Sequence, residues 1–232
     1  MAFKFYRIKC SGLYIWVKDK IMRSSFKFSS YIFSSLFLLF LVGCNSSKSI
    51  ALSKNNVSNV NRNILFHGEA LEMDAAPGGG MAILKDISFD TGTVILDIKG
   101  ENNPGKSFVG IAFNIQNDTT YEAIYFRPFN FRSSQEPRRK HGIQYVFEPG
   151  YSWERLRNEK PGEFEAEYVD PPLPDEWFSI SITVKKDSIL VRDKNSVKSL
   201  LRVRRLTATS SDRIGFWVGN NSNGSFKNLK IK

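Results

Sequence analysis

The chain has 232 residues, only two cysteines, and a formal net charge of +10. The cysteines, at 10 and 44, exclude a scaffold built on disulfides. The first 44 residues hold seven of the 33 basic and one of the 23 acidic residues, so the remaining 188 carry only +4, which argues against nucleic-acid binding.

The first informative stretch is "SSYIFSSLFLLFLVGC", residues 29–44. Its apolar core, Tyr31 to Val42, is about a dozen residues, short of the ~20 that span a bilayer but suited to a signal peptide. Arg23 and Lys27 precede it. The end, Leu41-Val42-Gly43-Cys44, resembles the bacterial lipobox. That resemblance implies a lipid on the Cys44 thiol and a mature chain beginning there. The alternative is a short buried helix that happens to end in cysteine. Met22 opens a well-formed signal peptide, so it is expected to be the true start, with residues 1–21 an over-extension of the gene. Asn45 after the cysteine points to the outer membrane of a bacterial envelope, on either its periplasmic or its surface side.

Residues 45–62, "NSSKSIALSKNNVSNVNR", are rich in Ser and Asn and predict a flexible tether. One domain is expected over 63–232. Period-2 patterns recur there with turn signals between them. "GTVILDIKG" alternates Val94, Leu96 and Ile98 against Ile95, Asp97 and Lys99. "FVGIAFNIQ" and "YEAIYFRP" flank a turn at Asn117-Asp118, and "HGIQYVFEP" follows. "EWFSISITVKK" points Phe178, Ile180, Ile182 and Val184 inward and pairs with "DSILVRDK" across Lys186-Asp187. "DRIGFWVGN" and "SFKNLKIK" close the chain. The pattern predicts an all-β, two-sheet antiparallel sandwich or jelly roll.

Six segments carry a resemblance. "FHGEALEMD", "GTVILDIKG", "FVGIAFNIQNDTTYEAIYFRPFNFRS", "IQYVFEPGYSWERLR", "DEWFSISITV" and "RIGFWVGNNSNGSFKNLKI" are similar to the concanavalin A-like lectin/glucanase superfamily. Within it they look closest to the laminin-G-like and 3-keto-disaccharide-hydrolase-type domains of bacterial lipoproteins. The resemblance implies a concanavalin A-like jelly roll over roughly 64–232. It leaves function open among lectin, hydrolase, lyase and adhesion module. The 3-keto branch opens on an aromatic, a glycine and then a tryptophan. Here His67-Gly68-Glu69 is present, and no tryptophan follows within eighty residues.

Catalytic signatures are sparse. Glucanases of this superfamily carry E-x-D-x-x-E on one strand, which aligns the acids a glycosidase needs. Here Glu72-Met73-Asp74 runs into Ala75-Ala76-Pro77 and breaks the pattern. His67 and His141 lack metal-ligand spacing. No G-x-S-x-G elbow or cysteine nucleophile is available. Glu163, Glu165 and Glu167 fall at period 2 and read as an exposed face opposite Arg155 or Arg157. No metal is expected, although Ca²⁺ held by Asp or Asn side chains and loop carbonyls stays open.

The segment 121–157 concentrates aromatic and basic residues. Sugars are held by stacking on aromatic faces and by planar forked side chains that bridge vicinal hydroxyls. Tyr125, Arg127, Asn130, Arg132, Gln144, Trp153 and Arg157 are the candidate ligand-binding residues. Tyr125 and Arg127 share a strand face opposite Ile124 and Phe126. An arginine there needs a partner or a wet cleft, which makes Arg127 the leading candidate. The favoured expectation is a lipid-anchored carbohydrate-binding sandwich. One alternative is a 3-keto-type glycoside hydrolase with Glu154 as base. Another is a non-catalytic module that docks an envelope protein.

Overall fold

The computed structural model describes residues 5–10, 13–18, 47–194, 196 and 198–232. The chain divides after Gly43. In the first unit, β1 (Phe5–Cys10) and β2 (Leu13–Lys18) form an antiparallel pair with Phe5 opposite Lys18. The apolar run 31–42 and Cys44 lie outside the described residues.

The second unit is a two-sheet sandwich. Its strands begin with β3 (Lys48–Ser49), β4 (Val57–Val60), β5 (Ile64–His67), β6 (Ala70–Met73) and β7 (Gly80–Leu84). They continue with β8 (Gly92–Lys99), β9 (Val109–Asn117) and β10 (Thr120–Phe126). A short helix α1 (Glu136–Arg139), β11 (Ile143–Glu148), helix α2 (Trp153–Glu159) and β12 (Glu165–Ala166) follow. The chain ends with β13 (Phe178–Val184), β14 (Ser188–Asp193), β15 (Ser199–Arg204), β16 (Ile214–Val218) and β17 (Gly224–Ile231). One seven-stranded sheet runs β12-β11-β10-β9-β16-β7-β4. The eight-stranded sheet runs β15-β14-β13-β8-β17-β6-β5, with β3 added on β17. Neighbouring strands are antiparallel throughout.

The core lies between the sheets. Phe126 of β10 meets Phe178 of β13 edge-on at 5.1 Å, and Phe216 of β16 stacks on Phe226 of β17 at 4.7 Å. Val94, Leu96 and Ile98 are buried, as alternation required, and so are Phe178, Ile180, Ile182 and Val184. Each such side chain contributes roughly 1.5–3 kcal/mol. Strand β9 departs from alternation, since all of Val109 to Ile115 is buried. Its outward positions hold Gly110, over which neighbouring rings close, and Ala112, which lies between Ala123 and Gly215. A Cβ on Gly110 would lie 2.1 Å from the Ile124 carbonyl oxygen, so only glycine fits.

Residues 48–62, expected as a tether, are part of the sandwich. Val57 sits opposite Leu84 and Val60 opposite Met81. Arg62 is 4 % exposed and donates to the carbonyls of Gly78 and Gly219 at 2.6 and 2.8 Å. An edge strand buries one face and pairs along one side, so two valines suffice and the polar remainder mimics a linker.

One polar group is deep in the core. Glu122 points inward from β10 and is fully buried. It accepts from Arg205 Nε at 3.1 Å, from the Tyr145 hydroxyl at 2.6 Å and from Asn114 at 2.7 Å. The buried charge is thus both paired and hydrogen-bonded, which is the condition for tolerating it.

Candidate functional site

The site forms on the outer face of the seven-stranded sheet. Strand register sets a row across it: Gln144, Tyr125, Gly110, Trp217, Met81. Because Gly110 has no side chain, the rings on either side of it meet. Tyr125 and Trp217 have centroids 4.9 Å apart, tilted by 36°. Such a pair is worth about 0.5–1.5 kcal/mol beyond its burial. Phe108 closes edge-on against Tyr125 at 6.1 Å. Four residues back along β10, Tyr121 accepts the indole N–H of Trp217 at 3.1 Å.

Tyr121 lies opposite Glu148 in the β10–β11 ladder. Phe108, Tyr121, Tyr125, Glu148, Trp153 and Trp217 surround a cleft of about 250 Å³. A second hollow of about 350 Å³ continues from Tyr121, Glu148 and Trp217 towards Asp118 and Thr119. Partial burial beside these rings raises the Glu148 carboxyl above the usual range. Burial also raises Tyr121, and pushes Tyr125 up to about 12. Both phenols stay protonated at neutral pH.

The far wall is held from behind. Arg127 is 4 % exposed. It donates to the Tyr125 hydroxyl at 2.9 Å, to the His141 carbonyl at 2.9 Å and to Gln144 Oε1 at 3.3 Å. Its guanidinium carbon lies 4.9 Å from the Tyr125 centroid, 5.8 Å from Phe108 and 6.0 Å from Trp153. Cation–π attraction of about 0.5–2 kcal/mol per ring offsets part of its desolvation, and burial still lowers its pKa. Gln144 spends its amide on the carbonyls of Tyr145 and Phe164 at 2.9 and 3.1 Å. Asn130 reaches the His141 carbonyl at 3.4 Å. These three residues are a bracket behind the cleft and do not line it.

Helix α2 brings Trp153. The Ser152 hydroxyl accepts from the Arg155 N–H at 3.4 Å, and buried Leu156 pins the helix to the sheet. Trp153 stays 40 % exposed. Arg157 stacks on it at 4.9 Å and pairs with Glu165 at 2.8 Å. Glu165 is buried and also 2.7 Å from His141, while Glu167 pairs with Arg139 at 3.0 Å. The glutamates at 165 and 167 therefore serve ion pairs, and Glu165 is no exposed face. A further pocket of about 390 Å³ opens beside His141, Arg157 and Glu165.

Of the residues singled out in the sequence, Tyr125 and Trp153 line the cleft. Arg127, Asn130, Gln144 and Arg157 position its walls. Arg132 is exposed and bonded to the Pro171 carbonyl at 2.8 Å. Glu154 is exposed in the first turn of α2, where a carboxylate suits the helix dipole. The carboxyl that does line the cleft is Glu148, and Tyr121, Phe108 and Trp217 join it. The signal for Glu148 was available: it ends a strand whose partner carries Tyr121 near its start. Among the described residues no three His, Cys, Asp or Glu side chains gather to hold a metal ion.

No family model matches the chain, and no curated protein matches it in sequence. Solved structures do match in fold. The carbohydrate-binding module CBM66 from Bacillus subtilis aligns with a TM-score of 0.55 at 13 % identity, over 76 % of this chain and 96 % of that one. A Bacillus subtilis protein with a galectin-like fold gives 0.52 at 11 %, over 80 % and 97 %. The exoplasmic/lumenal domain of VIP36, in a form bound to Ca²⁺ and Man3GlcNAc, gives 0.53 at 10 %, over 81 % and 90 %. At such identities the likeness is one of fold. The protein has the two-sheet concanavalin A-like sandwich its motifs resembled.

Proposed function

We propose that this protein binds carbohydrate in the cleft of its seven-stranded sheet and is held to a bacterial envelope by lipid on Cys44. The observation that carries the binding reading is the cleft wall. Trp153 offers an exposed ring, Tyr125 and Trp217 line the cleft as nearly buried rings, and Tyr121 and Glu148 place a hydroxyl and a carboxyl beside them. Apolar C–H faces of a pyranose stack on such rings, and a carboxyl bridges neighbouring hydroxyls. The fold neighbours lend support: one is named a carbohydrate-binding module, and another is described with a mannose-containing glycan. The anchor reading rests on Leu41 to Cys44 after an apolar run, and the outer membrane on Asn45.

A hydrolytic reading is favoured by one observation. Glu148 is a carboxyl of raised pKa beside the Tyr121 hydroxyl, a combination suited to general acid–base work. Native mass spectrometry with a panel of oligosaccharides and their 3-keto forms separates the two. Intact adducts that weaken in Trp217→Phe support binding. Conversion to smaller sugars, abolished by Glu148→Gln, supports hydrolysis. Neither signal from a folded protein refutes both.

A further inference from the structure

The opposite face of the sandwich has a different chemistry. Along β15, Leu201 and Val203 turn inward and Arg202 and Arg204 turn out to solvent. On β14, Val191 turns inward and Arg192 is exposed. Register places Arg202 opposite Leu190, and Arg192 opposite Ser181. The three arginines therefore share the outer face of the eight-stranded sheet on adjacent strands. Among the described residues none of them has a carboxylate partner. Nearby acids are otherwise occupied: Asp187 accepts from Ser188 at 2.8 Å, and Asp97 from Asn228 at 2.6 Å.

The chain enters the sandwich on this same sheet. Ser49 of β3 lies opposite Lys230, and Lys230 continues the row through Ile95 and Ser181 to Arg192. The entry point thus stands level with Arg192, and Arg202 and Arg204 lie further along β15, opposite Leu190 and Ser188. From β17 to β15 is four strand spacings, about 19 Å. Cys44 precedes β3 by four residues, a reach of at most about 14 Å. An anchor on Cys44 would hold the edge of this sheet near a bilayer.

We propose that the outer face of the eight-stranded sheet, through Arg192, Arg202 and Arg204, docks on anionic lipid headgroups. Charge complementarity to phosphates selects a polyanionic partner. The choice of a bilayer over a soluble polyanion rests on the lipid-anchor reading of Cys44.

The test uses the full chain with Cys44→Ser, which cannot be lipidated, so that docking is read apart from anchoring. It is floated with vesicles of phosphatidylcholine and of an equal mixture with phosphatidylglycerol. Each basic side chain at an anionic surface is worth roughly five-fold in affinity, so the triple change of Arg192, Arg202 and Arg204 to Gln should weaken binding to the mixed vesicles about a hundred-fold. Binding to phosphatidylcholine should not change. The triple change to Lys should retain binding, which controls for folding and shape. Equal binding of wild type and the Gln variant to the mixed vesicles would overturn the proposal. So would an arginine-dependent affinity for polygalacturonate with none for vesicles.

Discussion

Trp217 and Tyr121 stand on strands separated by β9, and the indole N–H of the first donates to the hydroxyl of the second at 3.1 Å. The bond fixes the indole plane and occupies an acceptor position of the phenol. The Tyr121 proton is thereby left to donate into the cleft. Trp217→Phe removes the donor and keeps a ring. Glycan affinity should fall about five- to ten-fold, the worth of one hydrogen bond of ~1 kcal/mol, measured by calorimetry.

Glu148 titrates above an ordinary glutamate because it is partly buried beside rings. The folded state thus binds its proton more tightly than the unfolded chain does. Stability from this group is fully present below the unfolded value of about 4.3 and is lost as pH rises through the folded value. Glu148→Gln should therefore raise Tm at neutral pH. The gain should shrink on acidification and vanish below the usual carboxylate range. Melting curves across pH decide it.

Arg127 holds three oxygens from three different residues. Lysine has no planar fork and cannot span them. Arg127→Lys should cost about 2 kcal/mol or more in denaturant unfolding, through acceptors left unpaired in the interior. Glycan affinity should fall with it, because Tyr125 loses its bracket.

Glu122 is the counter-charge of Arg205, whose side chain is 6 % exposed. Glu122→Gln keeps the shape and strands the cation. The expected loss is about 3–5 kcal/mol. The same experiment with Glu154→Gln, at an exposed helix position, should change stability by under about 0.5 kcal/mol.

A chain starting at Ile64 lacks β3, β4 and Arg62. It should show a lower Tm and faster proteolysis than one starting at residue 47. Equal stability would restore residues 47–62 to the status of a linker.

The sandwich was legible where one face meets the core and the other meets water. Strands β8 and β13 show that alternation directly. Strand β9 hid it, because Gly110 is small for the sake of the rings that meet over it and Ala112 lies in a row of small residues. Strand β4 hid in a Ser- and Asn-rich stretch because an edge needs few apolar side chains. The site was half legible. Sequence alternation put Tyr125 and Arg127 on one face. Whether that arginine met water or carbonyls depended on the His141 carbonyl and Gln144 Oε1, which arrive from beyond a loop. Glu148 reads as the exit of a strand until register sets it beside Tyr121.

The central claim is that sugar stacks on Trp217 and Trp153. The most direct test is the indole N–H spectrum of ¹⁵N-labelled protein titrated with the oligosaccharides. Trp177 is the internal control, since it lies under Lys227 at 4.2 Å and outside the cleft. The account predicts that Trp217 and Trp153 shift with ligand while Trp177 stays fixed. Saturable binding that moves Trp177 alone, or leaves all three unmoved, would contradict it.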